Sequence, residues 1–277
     1  KGLRPLYLKV VGDFGQLPPI KEKPSFLSKC WSNFHTQYLT EVKRQTERPF
    51  IEALSYVRDG NPREALQYFQ SNIGFNPYVD KNFKGSTFMS KNRDVDAFNR
   101  AKLDELKGRD FYITSRRWGK EKPEWKNIPY DLRLKQGALV VILMNNHKSG
   151  YANGDLAYID SINEDDDSVD VILQRDNRKV TIEMAEVFNK DMGGNKLGGI
   201  LYMPLRVAFA MTVHKCQGLT LDNVQIVMGD SFMSRCHGMF YVALSRARTS
   251  KGLRLVGSSQ DFLRSAYFNP IYRQYVK

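Results

Sequence analysis

Two hydrophobic rhythms share this chain, and their arrangement limits the folds open to it. Between about residues 130 and 190, the runs Ala138–Leu143, Leu156–Ile162, Val169–Leu173 and Val180–Met184 are short and separated by Asn-Gly and acidic turns. That pattern predicts a small antiparallel barrel. On either side the pattern alternates between strand and helix. Leu6–Val11 reads as a buried parallel strand opening at Gly12-Asp13, and Ser86–Ser90 as a second strand. Helices are expected over Phe50–Asp59, Arg63–Gln70 and Asp94–Leu106. From Leu205 onward, strands at Arg206–Ala210, Val224–Val227 and Leu253–Val256 alternate with helices, which predicts a parallel α/β sheet interrupted by an all-β insertion. Arg116–Pro129, polar and broken by Gly and Pro, reads as a linker, and Gln37–Val42 as a strand.

Composition narrows the class. The 277 residues are 42% hydrophobic and 12% aromatic, enough for a packed core. The longest apolar run, Ala138–Asn145, falls far short of the roughly 20 residues of a bilayer crossing, so a soluble intracellular chain is expected. Three scattered cysteines make neither a disulfide framework nor a zinc site. The formal charge of +12 is uneven: residues 131–200 carry eight basic and twelve acidic groups, whereas 201–277 carry ten and three. A polyanion would therefore touch the flanking regions more than the middle, although general solubility accounts for the same total.

Four segments bear chemistry. Gly12-Asp13-Phe14-Gly15-Gln16-Leu17-Pro18-Pro19 follows the first strand run, where a carboxylate and an amide three residues apart can hold a phosphate or a water, or simply cap a turn. Lys43-Arg44-Gln45 is a basic pair that could equally be plain surface. Thr212-Val213-His214-Lys215-Cys216-Gln217-Gly218 starts a helix after a strand, so free backbone N–H groups, hydroxyl, imidazole and ammonium converge as a phosphate clamp; the alternative is a packing role for His214. In Phe240–Arg248, Phe240, Ala243, Leu244 and Ala247 form one buried stripe at about 100° per residue, while Arg246 and Arg248 diverge by about 160°. An arginine beside such a stripe suits a phosphoryl group in transfer, or a surface salt bridge.

In this order the four segments resemble superfamily 1 helicases of the Pif and RecD type: GDFGQLPPI is similar to their motif III, LTEVKRQ to motif IV, TVHKCQGLTLD to motif V and YVALSRART to motif VI. NGDLAYI resembles the SH3-like insertion in their second RecA-like domain. The resemblance implies an α/β, RecA-like parallel sheet with that insertion. It divides the chain into 1–28 (end of a first RecA-like domain), 29–129 and 201–277 (the second), and 130–200 (the insertion).

The resemblance also implies roles. Gln16 would sense the γ-phosphate, Arg44 and Arg246 would be arginine fingers, and Gly12, Asp13 and Gly218 would lie near ATP. Asn92, Thr212, His214 and Lys215 would contact single-stranded DNA. The parent would be an ATP-dependent DNA helicase moving five-prime to three-prime, using ATP and Mg²⁺, on single strands and forks, alongside replication or recombination proteins. Cys216 stands where those enzymes usually carry Ser, and Ala157 where Gly is common. No Gly-x-x-x-x-Gly-Lys-Ser/Thr occurs, nor an Asp-Glu pair ending a strand ahead of Gly12, so the elements that hold ATP and Mg²⁺ are expected in a preceding half, and the chain alone is expected to be inactive. The other readings are a non-catalytic single-strand-binding module and a subunit of a RecD-like helicase–nuclease complex.

Overall fold

The computed structural model describes residues 8–20 and 22–276. The chain builds a unit on a parallel sheet and an all-antiparallel unit, each with its own core. The first part carries helices α1 (Arg48–Arg58) and α2 (Pro62–Asn72), strands β1 (Phe75–Asn76) and β2 (Ser86–Met89), and helix α3 (Asn92–Glu105). Proline at the first turn starts both α1 and α2, where its missing N–H costs nothing. In α1 the helical spacing of Phe50, Ala53, Leu54 and Val57 buries one face.

An all-antiparallel part follows: β3 (Phe111–Thr114), β4 (Arg116–Gly119), β5 (Asp131–Leu134), β6 (Leu139–Ile142), β7 (Leu156–Asn163), β8 (Ser168–Leu173), β9 (Lys179–Ile182), β10 (Ala185–Lys190), β11 (Lys196–Tyr202) and β12 (Leu205–Val207). The chain then returns to β13 (Ala210–Thr212), α4 (Val213–Cys216), β14 (Val224–Val227), α5 (Met239–Leu244), β15 (Leu253–Val256) and α6 (Ser259–Ser265). Helix α6 opens with a capping box between Ser258 and Asp261.

The five parallel strands stand in the order β1-β15-β14-β2-β13, confirming the expected α/β sheet. Their carboxyl ends share one edge, and Thr212 lies in register with Met89. The antiparallel strands form a five-stranded sheet in the order β12-β6-β7-β8-β9, a three-stranded sheet β10-β11-β4 and the pair β3-β5. The outer strands β12 and β9 do not pair with each other among the described residues, so the ladder at the place of the expected barrel is open. The antiparallel strands run from Phe111 to Val207, beyond residues 130–200 on both sides.

Four expectations change. Arg116–Pro129 is structured: β4 pairs with β11, and Trp125 is buried in a short 3₁₀ turn, its large ring outweighing the polar residues around it. Gln37–Val42 is extended but joins no ladder among the described residues, with Leu39 95% exposed. Arg206–Ala210 is two strands. Residues up to Val207 pair antiparallel with β6, and Ala210–Thr212 pair parallel with β2; the run is apolar enough to suit either sheet, so its pattern could not reveal the switch. Of Leu6–Val11, Leu6 and Tyr7 lie outside the described residues, and Leu8–Val11 join no ladder among those described.

One hydrophobic core lies between the parallel sheet and its helices and takes in Leu139, Val141 and Leu156 from β6 and β7; the other lies within the antiparallel unit and takes in Leu103 from α3. Phe209, in the short link between β12 and β13, packs against both. Among the described residues no helix is long and apolar enough to cross a membrane.

Candidate functional site

The loop after Gly12 is tied down by Asp13. Its carboxylate accepts from the Gly15 N–H at 2.9 Å, from Gln16 Nε2 at 3.1 Å and from Arg58 Nη2 at 2.8 Å. Burial alone would push this carboxyl up. The hydrogen bond and charge of Arg58, with the bonds from Gly15 and Gln16, more than reverse that, holding it below the usual carboxylate value. A depressed folded value means the stabilisation is present above pH ~4 and lost as pH falls through the folded pKa. Asp13→Asn is therefore expected to cost about 2 kcal/mol in urea unfolding at pH 7, with the gap to the parent chain closing toward pH 2. A gap that persists unchanged in acid would disprove the assignment.

Gln16, so oriented, lines a cavity of about 670 Å³ together with Arg44, Gln45, Thr220, Tyr241 and Ser245. The Lys43–Gln45 segment belongs to no strand, yet it is strapped in place: Gln45 Nε2 donates to the carbonyls of Ser245 at 3.0 Å and Ala247 at 2.8 Å. Arg44 donates from Nε to Thr220 Oγ1 at 2.9 Å and from Nη1 to the Ser245 carbonyl at 3.3 Å.

Arg246 sits behind this wall, 1% exposed. It donates to the carbonyls of Val242 at 2.9 Å and Leu219 at 3.3 Å and to Ser245 Oγ at 2.7 Å, all neutral acceptors. Burial first, then the nearby Arg44 charge, lowers its pKa to about 10. Arg248, the diverging alternative, pairs with Asp222 at 2.7 Å in the open.

The structure thus brings Gln16, Arg44 and Arg246 together, with Asp13 behind Gln16. Gly218 is exposed beside Gln217, whose Nε2 donates to Gln16 Oε1 at 3.4 Å, and Gly12 is exposed at the start of the loop without lining the cavity. Cationic and amide donors facing one space suit an anion such as a polyphosphate. They do not suit its metal ion: Glu41 is the one carboxylate on the lining, it pairs with Lys43, and no metal-binding group of three or more acidic, His or Cys residues occurs among the described residues.

The second set occupies the carboxyl edge of the sheet. Asn92 opens α3 just after β2, and Thr212, His214 and Lys215 follow from the neighbouring strand β13. Asn92 and Lys215 are exposed, while Thr212 is 4% exposed and offers mainly backbone. His214 tilts against Phe232 with 6.2 Å between ring centroids, and burial lowers its pKa, leaving a neutral imidazole at pH 7. Lys215 is lowered by burial and then by the charge of Arg206. Asp230 bonds Ser90 and pairs with Lys91 at 3.4 Å, closing the edge beside Asn92. Cys216 points inward: fully buried, its thiol donates to the Val213 carbonyl at 3.1 Å and is pushed up to about 12, so the side chain makes no contact with a ligand at this edge.

Arg58, Tyr241, Ser245 and Phe232 were not singled out from sequence. Arg58 reads as the last turn of a helix, and only the folded loop reveals its pairing with Asp13. Tyr241 lies off the buried stripe of its helix, which was the one available signal.

The family model for the UvrD-like helicase C-terminal domain matches residues 207–253, spanning Thr212, His214 and Lys215 of the strand-edge set and the Ser245–Arg246 wall. Across 262 residues the chain is 30% identical to the ATP-dependent DNA helicase Pif1 of Bdellovibrio bacteriovorus, covering 89% of this chain and 57% of the relative. Over most of its length the chain is similar to Pif1-type helicases. It spans a little over half the length of that Pif1 relative. Among solved Pif1 structures, the crystal structure from Candida albicans superposes with a TM-score of 0.71 at 25% identity, covering 95% of this chain and 66% of that one. A Bacteroides Pif1 in complex with ADP-AlF3 and ssDNA gives a TM-score of 0.65 at 26% identity, covering 95% and 64%.

Proposed function

We propose that this chain is the C-terminal portion of an ATP-dependent DNA helicase that couples ATP hydrolysis to five-prime to three-prime movement on single-stranded DNA and unwinds duplex at forks. The observation that carries the reading is that Gln16 and Arg44 line one cavity while Arg246, about 200 residues further on in sequence, stands directly behind its Ser245 wall. A nucleotide is the ligand that needs two guanidiniums and a polarised amide at once. The fully buried Arg246, held by neutral acceptors alone, fits a group kept ready for a developing negative charge. The Bacteroides Pif1 complex holds a nucleotide analogue and a single strand, which supports both ligands here.

In this reading Gln16, tied to Asp13 and Gln217, touches the terminal phosphate and passes its state to α4. Arg44 and Arg246 neutralise charge on the transferring phosphoryl group, and ATP supplies the free energy. Mg²⁺ and the remaining phosphate contacts come from a nucleotide-binding half outside these residues, matching a cavity wall whose one carboxylate, Glu41, is taken up by Lys43. Asn92, Thr212, His214 and Lys215 hold the strand at the sheet edge, mostly through its phosphates.

The direct test is fluorescence anisotropy of a labelled oligothymidylate with this chain. Lys215→Ala is expected to weaken binding about 5-fold and to lower the slope of log K against log salt by about 0.7, the value for one phosphate contact on a single strand. Affinity indifferent to both salt and Lys215 would refute the strand-binding role.

A further inference from the structure

The antiparallel unit has a basic cleft that the proposed motor does not use. It measures about 750 Å³ and lies between β4 and the Pro123–Asn127 turn, walled by Arg116, Arg117, Lys126 and Tyr130. The segment Arg116–Pro129 that forms most of it carries five basic and two acidic side chains. We infer that this cleft is a second nucleic-acid contact, seating a phosphodiester of single-stranded DNA with the adjoining base against Tyr130. The inference rests on the strand-binding role proposed above.

The charges of the cleft are largely uncommitted. Lys126 is exposed, with no carboxylate in ion-pairing range among the described residues. The Arg116 side chain is 71% exposed and, among the described residues, pairs only with Asp167, loosely, at 3.7 Å. Arg117 spends Nη1 on Glu121 at 3.2 Å and Nη2 on the Ile128 carbonyl at 2.6 Å, while its Nε is buried without an acceptor. A buried donor left unpaired costs free energy, and an anionic oxygen on the floor of the cleft would relieve it. Tyr130, 65% exposed, offers an aromatic face at the rim. Cations beside an exposed ring are what a backbone-tracking, base-stacking site needs.

Position strengthens the case. Ser115, Ile128 and Pro129 also line a small neighbouring cleft that reaches Tyr202 and Arg206. Arg206 in turn is close enough for its charge to act on Lys215 at the sheet edge. The small cleft, with Arg206 as its one cation, therefore bridges the space between α4 and the basic cleft, a line that one strand can follow.

The test compares this chain with the double variant Arg116→Ala and Lys126→Ala, both exposed positions. Arg117 is left in place because it holds the Ile128 carbonyl. Anisotropy is read with oligothymidylates of about 6 and about 16 nucleotides, bracketing the site sizes of small strand-binding folds. For the longer oligomer the double variant is expected to bind about 10-fold more weakly, with a salt slope lower by about 1.4; the shorter one is expected to bind as before. Tyr130→Ala should weaken the longer complex without changing its slope. If the double variant matches the parent on the longer oligomer while Lys215→Ala still weakens it, the cleft is not a strand site and the sheet-edge reading stands. If the parent chain binds neither oligomer, both readings fall.

Discussion

Replacing Arg246 with Met is expected to stabilise the chain by about 2 kcal/mol, raising its melting temperature by roughly 4–8 °C, while abolishing nucleotide turnover in a helicase that contains it. The guanidinium is 1% exposed and bonds only to two carbonyls and a hydroxyl, with Arg44 close by. A buried cation without a carboxylate is expensive, and a linear apolar side chain of similar length removes that cost. The pH dependence has a definite sign. The folded pKa, about 10, lies below the unfolded one, so the penalty is complete at neutral pH and shrinks only as pH rises past that value. Turnover, by contrast, should fall about 10³-fold or more, the usual worth of an arginine finger. Calorimetry of the chain and DNA-stimulated ATPase of the whole motor decide the two halves separately. A destabilised variant would show that Arg246 is a structural clamp, and unaltered turnover would remove it from the nucleotide site.

The second large effect is expected at Gly238. Its φ is +69°, and a Cβ there would lie 2.5 Å from the carbonyl oxygens of both Gly15 and Gln16. Gly238→Ala must then force a left-handed alanine, costing about 1–2 kcal/mol, and also push back the loop that orients Gln16. We expect about 3 kcal/mol in all. Gly74→Ala is the matched control: its φ is +74° but nothing lies within 4 Å of the added methyl, so only about 1 kcal/mol should be lost. The loop also packs Phe14 edge-on against Trp31 at 5.5 Å, so its displacement should shift tryptophan emission in the Gly238 variant and not in the control. Equal losses in the two would mean that the contact between α5 and the loop carries no strain.

The parallel sheet was legible in sequence because its strands and helices keep separate periods. Val224–Val227 and Leu253–Val256 fall where their apolar runs end. What was not legible depended on partners remote in sequence. Gln37–Val42 has the composition of a strand but finds no neighbour to pair with among the described residues, and Arg116–Gly119 looks like linker until β11 arrives beside it. The same holds for the site. Gln16, Arg44 and Arg246 could be picked out as chemistry-bearing types, and the structure does gather them. That Arg246 faces the Leu219 carbonyl rather than open solvent, and that Asp13 is occupied by Arg58, are facts of packing that no local spacing encodes.

Only Ala208 and Phe209 separate β12, the last strand of the antiparallel unit, from β13, which leads straight into Thr212, His214 and Lys215. With Phe209 wedged into both cores, this junction has no slack to act as a swivel. The insertion should therefore behave as a stiff outrigger. Tension from DNA held on it would be delivered to the gripping edge of the sheet within a few residues, instead of being lost in a floppy tether.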